Sequence, residues 1–190
     1  MEVVPLAIPD VLLVRPSVHA DDRGAFTEMH VQDRYREAGI PGPFVQDNLS
    51  RSRRGVIRGL HYQLRMPQGK LISVVRGRIW DVAIDIRQGS PTFGQHVSSF
   101  LDDEKLEQIY VPPGFAHGFA AISDRADVLY KCTDTWHPQD AFGIRWDDPT
   151  LALPWPDEVL AHGPVLSERD KVLPFLEEAL ANLPHADAAG

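Results

Sequence analysis

Cysteine is almost absent from this chain, with Cys132 alone among 190 residues. One thiol excludes an intramolecular disulfide and any cysteine-based zinc spacing, which suits a reducing compartment, and a buried structural role is the expected one. Long apolar runs are missing as well. No stretch approaches the roughly 20 residues of a membrane-spanning helix, and no basic segment leads into an apolar run and cleavage site, so a cytoplasmic protein with no membrane partner is expected. Cations are in the minority, 19 Lys and Arg against 27 Asp and Glu, for a formal charge of −8. That balance argues against a nucleic-acid partner, whose binding depends on cations meeting phosphates. An anionic small molecule would need a locally positive pocket. Internal repeats, low-complexity tracts and long linkers are lacking too, which predicts one domain over 1–190 with a core from about 8 to 175.

What the chain does have is 43% hydrophobic residues, 14 glycines and 16 prolines, enough for a sizeable and much-punctuated core. Val11–Val14 is an apolar stretch, followed by a polar turn at 19–24 and a strand-like 25–29. Charges at mixed spacing over 31–38, ending at Gly39, predict a short helix. Arg51, Arg53 and Arg54 read as a solvated basic turn. From Arg78 to Ile86 the apolar residues Trp80, Val82, Ile84 and Ile86 alternate with Asp81, Ala83 and Asp85, the period of a half-buried strand; Asp85 and Arg87 are expected to pair structurally. Further strands are predicted over 96–101, 107–111, 117–122, 128–136 and 142–146. Short strands at this spacing predict an all-β sandwich or jelly roll. Beyond Asp147, Pro149, Pro154, Pro156 and Pro164 mark an irregular return. Ser167-Glu-Arg-Asp170 has the form of a helix start, 175–183 carries helical apolar spacing, and 185–190 is expected to be a loose end.

Chemistry concentrates between Arg58 and Gly77, where Arg58, His61, Gln63 and Lys70 lie on two short segments that a hairpin would bring face to face. Gly55-x5-His61-x-Gln63 with Lys70-x6-Gly77, and later Pro112-Pro-Gly-Phe-Ala-His117, resemble the paired signatures of the cupin barrel. Metal-binding cupins carry a second histidine where Gln63 stands and a glutamate where Lys70 stands. An amide is a poor transition-metal ligand and an ammonium repels a divalent cation, so this pattern predicts no metal and chemistry run by a base and a cation.

A larger set of motifs, in order along the chain, resembles the dTDP-4-dehydrorhamnose 3,5-epimerase family. Arg23-Gly24 with Phe26 and Glu28, Gln46-Asp-Asn48, Arg58-Gly-Leu-His61, Gln68-Gly-Lys70, Asp81-Val-x-Ile-Asp-Ile-Arg87, Gly89-Ser-Pro-Thr-Phe-Gly94, Pro113-Gly-Phe-Ala-His-Gly-Phe119, Leu129-Tyr130 and Leu166-Ser-x-x-Asp170 carry the likeness. It implies a cupin-type jelly-roll β-barrel with short helices in the N-terminal region and at the C-terminus. It also implies a dTDP-linked 4-keto-6-deoxy sugar as substrate, enolisation at C3 and C5, no cofactor, and a homodimer. By the same resemblance His61 is the base, oriented by Asp170, Tyr130 is the acid on the opposite face, and Lys70 stabilises the enolate oxygen. Arg23, Glu28, Gln46, Asn48, Arg58, His117, Trp136 and Arg169 take binding positions, some N-terminal ones in the neighbouring subunit.

Three departures cluster where the nucleotide would sit. Trp136 replaces a tyrosine and offers no hydroxyl, Ala141 stands where an acidic residue is common with Asp140 just before it, and Arg169 replaces a lysine. They leave open the nucleotide base and the choice between single and double epimerisation. Blander readings stand beside these: Asp170 as a capping-box residue, Tyr130 as a packing residue, Lys70 as an exposed strand residue and His117 as a turn residue. The rival functions are a metal-dependent cupin and a non-catalytic nucleotide-sugar binding module.

Overall fold

The computed structural model describes residues 1–161 and 163–186. Its strands are β1 (Glu2–Pro5), β2 (Leu12–Arg15), β3 (Val18–Asp21), β4 (Gly24–Thr27), β5 (Gln46–Arg53), β6 (Ile57–Gln63) and β7 (Lys70–Arg76). They continue with β8 (Arg78–Asp85), β9 (His96–Asp102), β10 (Gln108–Val111), β11 (Phe115–Ala121), β12 (Arg125–Cys132) and β13 (Ala141–Gly143). Short helices α1 (Gln32–Glu37), α2 (Asp157–Leu160), α3 (Glu168–Lys171) and α4 (Leu176–Ala179) fall where the jelly-roll expectation puts helices, in the N-terminal region and toward the C-terminus.

The strands form a six-stranded antiparallel sheet ordered β1-β2-β10-β7-β12-β5 and a five-stranded one ordered β13-β6-β11-β8-β9. Between them lies one apolar cluster, with Leu13, Ile72, Ile109 and Val128 from the first sheet meeting Ile79, Ala83, Phe115 and Phe119 from the second. This is the expected two-layer barrel. The β3-β4 ribbon stands apart from both sheets, and nearly all of it is exposed.

Several elements differ from the sequence reading. β6 and β7 are not a paired hairpin: β6 pairs with β11 and β13, β7 with β10 and β12, so the two segments face each other across the barrel from opposite sheets. β5 runs on through Arg51 and Arg53 because it pairs along its whole length with β12. β12 in turn spans Arg125–Cys132 rather than 128–136, since Thr133 to Thr135 turn to form the barrel rim. β8 is buried on both faces rather than one. Its inward Asp81 and Ala83 face the barrel, while Trp80, Val82, Ile84 and Ile86 are covered by Leu151, Trp155, Val159 and Leu176 of the returning C-terminal segment. Asp85 binds Arg87 as expected and also accepts from Ser90 and Thr92. His185 is not loose: the 184–186 backbone bonds Gln88 on both sides, while 187–190 lie outside the described residues. Among the described residues no helix is long and apolar enough to cross a membrane.

Candidate active site

A bulge on β6 builds the site. His61 lies opposite His117 and Arg58 opposite Phe119, so three residues on β6 span the distance of two on β11. In a regular strand, side chains three apart point to opposite faces. The extra residue turns Arg58 and His61 into the same barrel, while Leu60 and Tyr62 pack outward. Gly59 makes this possible. Its φ is +123°, and a Cβ there would lie 2.6 Å from Gly118 Cα and 2.8 Å from His117 O. Only glycine accepts both the dihedral and the approach.

The barrel interior opens as two adjoining lobes of about 320 Å³ each, sharing His61, Lys70, Tyr130 and Arg169. Arg58, His117 and Asp170 line one, and Gln46, Asn48 and Trp136 line the other. His61 Nε2 donates to Asp170 Oδ1 at 2.7 Å, which leaves Nδ1 with its lone pair. Asp170 is almost fully buried on α3, where Ser167 caps the helix by accepting from the Asp170 main-chain N–H at 3.0 Å. Burial alone would raise the pKa of this carboxyl. The hydrogen bond from His61, with those from Ser167 and the Gly59 N–H, holds it below the ordinary value instead. The capping reading and the His61 reading therefore both apply to this residue, the first through its backbone and the second through its side chain.

Lys70 faces His61 from β7 of the opposite sheet, its Nζ 3.4 Å from the His61 carbonyl oxygen. It is not the exposed lysine of the blander reading, and burial lowers its pKa. Tyr130 on β12 lines both lobes, and burial raises the pKa of its phenol. His117 sits within β11, not in a turn, and Nε2 meets Asp81 Oδ2 at 2.8 Å. The sequence does not single out Asp81 as a partner for His117. The signals available there are its place at the head of the Asp81-Val-x-Ile-Asp-Ile-Arg87 motif and on the same face of β8 as Ala83, a face that looks inward. Arg58 is steered by Ser52 Oγ and the Arg51 carbonyl.

At the other lobe Trp136 is 55% exposed. Its N–H donates to Gln46 Oε1 at 2.8 Å, and Gln46 Nε2 donates to Asn48 Oδ1. Arg169 Nη2 donates to the Ala141 carbonyl at 2.7 Å, so the arginine leans across the lobe boundary. Asp140 is buried as a cap for the N–H groups of Arg65 and Met66 and does not face the cavity. Cys132 is buried, with its thiol 3.6 Å from Asn48 Nδ2.

Two expected binding residues are not brought to either lobe by this chain. Arg23 pairs with Asp21 on the ribbon and its side chain is 90% exposed, while Glu28 pairs with Arg34. The physical reason is the ribbon itself, which leaves all its side chains but Thr27 exposed and so has no intrachain core to draw it over the cavity.

The cavity of this cupin-type barrel thus brings a carboxylate-held imidazole together with a lysine and a tyrosine. Among the described residues no group of three or more imidazole, thiol and carboxylate side chains is placed to hold a metal ion. The family model for dTDP-4-dehydrorhamnose 3,5-epimerase matches residues 5–178. A dTDP-4-dehydrorhamnose 3,5-epimerase of Pseudomonas aeruginosa is 52% identical over 172 residues, 90% of this chain and 93% of the relative. The chain belongs to the dTDP-4-dehydrorhamnose 3,5-epimerase family. Among solved structures, the dTDP-6-deoxy-D-glucose-3,5-epimerase of Legionella pneumophila in complex with dTDP-4-keto-L-rhamnose superposes with a TM-score of 0.93 at 45% identity, covering 97% of each chain. ChmJ, a 3'-monoepimerase from Streptomyces bikiniensis in complex with dTDP-quinovose, superposes at 0.90 with 35% identity, covering 97% of this chain and 93% of its own.

Proposed function

We propose that this chain is a single catalytic domain that converts dTDP-4-dehydro-6-deoxy-D-glucose to dTDP-4-dehydro-L-rhamnose in the cytoplasm, by proton transfer at C5 and C3. The observation that carries the reading is His61 of one sheet, held by Asp170 of α3, facing Lys70 and Tyr130 of the other sheet across one cavity. Each carbon beside the C4 ketone bears an acidic proton. His61 Nδ1 takes that proton, the C–H electrons move into a C=C bond, and the ketone π electrons move to O4. Lys70 stabilises the negative oxygen with a charge fixed in place beforehand. Asp170 stabilises the imidazolium that forms, without taking its proton. Tyr130 returns a proton from its phenol to the opposite face, which inverts the centre. Its raised pKa keeps it protonated for that step at neutral pH.

The nucleotide would occupy the lobe with Gln46, Asn48 and Trp136, whose exposed indole supplies a stacking surface. The chain would act as a homodimer, with Arg23 and Glu28 reaching the partner's cavity. The free ribbon, with Phe26 69% exposed, and the open edge of β5, with Leu49 58% exposed, favour that assembly. A second reading, epimerisation at one carbon only, is favoured by Trp136, which lacks the hydroxyl of the usual tyrosine.

The test is incubation of dTDP-4-dehydro-6-deoxy-D-glucose in deuterium oxide followed by NMR. Deuterium at C5 and C3 is expected, and its loss in His61→Ala. Deuterium at one carbon alone establishes the second reading, and undiminished exchange in His61→Ala overturns the base assignment.

A further inference from the structure

Gln63 stands where metal-binding cupins carry a histidine, and its side chain is committed elsewhere. It is 5% exposed. Nε2 donates to Met66 O at 2.7 Å and to Thr135 O at 3.2 Å, which uses both amide hydrogens. Oε1 accepts from His137 N at 2.8 Å. Thr135 and His137 are the two neighbours of Trp136, and the Trp136 N–H is itself held by Gln46 Oε1 at 2.8 Å. Three successive backbone groups, from residues 135, 136 and 137, are thus pinned by two glutamine side chains arising from different sheets. More than half of Trp136 is exposed, so packing does little to hold the indole.

We infer that Gln63 is a positioning residue for the nucleotide subsite, acting through the loop that presents Trp136. This rests on the proposed function, in which Trp136 stacks on the base. Gln63 also lines that lobe, but its amide groups are spent on the loop, and a loop held in its bound shape binds without first losing conformational freedom, so the amide contributes to affinity through the loop. The chemistry at His61 runs on other contacts, and an effect on binding rather than on turnover is the signature to look for.

The experiment measures dTDP binding by calorimetry, and kcat and KM with the 4-keto sugar, for wild type, Gln63→Met, Trp136→Ala and the double variant. Methionine keeps the length and removes all three hydrogen bonds. Gln63→Glu keeps the acceptor for His137 and loses both donations, and serves if the methionine variant fails to fold. The expected result for Gln63→Met is roughly a tenfold weaker dTDP affinity and a matching rise in KM, with kcat within about twofold of wild type. Gln63→Glu should fall between. In the Trp136→Ala background the Gln63 change should weaken dTDP binding no further, because its effect travels through the indole. Equal weakening in both backgrounds, unchanged dTDP binding in Gln63→Met, or a loss confined to kcat overturns the inference and leaves the proposed function standing. A wild-type chain that does not bind dTDP overturns that function, and this inference with it.

Discussion

Replacing Asp170 by asparagine separates the two uses that the structure makes of this residue. The helix cap runs from the Asp170 main-chain N–H to Ser167 Oγ at 3.0 Å and survives any side-chain change. The contact with His61 at 2.7 Å belongs to the side chain alone. Asparagine keeps the volume and removes the charge, so the imidazolium formed during proton abstraction loses its counter-charge. It can also turn its amide NH₂ toward Nε2, which would force the proton onto Nδ1 and block the base. A hydrogen bond to a charged group contributes about 1.5–3 kcal/mol, and each 1.4 kcal/mol is about tenfold in rate, so kcat should fall roughly 10- to 150-fold. Folding should change by less than about 1 kcal/mol, because the shape is kept and the cap is intact. The assay is C5 deuterium exchange by NMR beside equilibrium urea unfolding on the same preparations. An exchange rate within threefold of wild type would refute the orienting role. A loss of stability with little loss of turnover in the folded fraction would return Asp170 to a purely structural part.

Three further outcomes follow from the same cavity. Tyr130→Phe removes the proton donor but leaves the base, so solvent deuterium should still enter at C5 with retention while inverted product falls at least tenfold; equal loss of both signals would contradict the division of labour. Lys70 is held below the ordinary lysine value of 10.5 and Tyr130 above the ordinary phenol value of 10.0. The positive charge on Lys70 is therefore lost at a lower pH than that of an ordinary lysine, and kcat/KM should decline on the alkaline side below pH 10.5. Lys70→Arg, which stays charged, should lower the rate and move that decline upward; an unmoved profile would place the titration elsewhere. Gly59→Ala should cost about 2–4 kcal/mol in urea unfolding, since its Cβ would meet Gly118 Cα at 2.6 Å at a φ of +123°. A stability within about 0.5 kcal/mol of wild type would mean that the bulge tolerates a side chain.

The sequence brings the candidate site residues together well and predicts the strand geometry unevenly. His61, Lys70, Tyr130 and Asp170 share a cavity as the motifs imply, and the strand rhythm implies a two-layer barrel. Three things are not legible in it. Alternation along Arg78 to Ile86 reports one polar face, but not that the C-terminal segment folds back over the apolar one while the barrel buries the other; such cover is non-local and leaves no mark on the strand. The short link between Gln63 and Lys70 looks like a hairpin loop, yet it crosses between sheets, and the choice of pairing partner depends on strands far along the chain. Gln63 reads in sequence only as a lost ligand, because an amide bound to backbone atoms in another loop has no sequence pattern. Arg23 and Glu28 illustrate the opposite case. Their residue types point to the substrate, while one folded chain provides no path for them to reach it.

The carboxylate behind His61 arrives late. Asp170 follows every strand of both sheets in the chain, and synthesis runs from the N-terminus. His61 is therefore synthesised more than a hundred residues ahead of the carboxylate that orients it. A chain cut just ahead of Ser167 would lose Leu176, Ala179 and Leu183 from the cover over β8 together with Asp170 from the base, so a single tail serves as both lid of the core and last part of the catalytic pair.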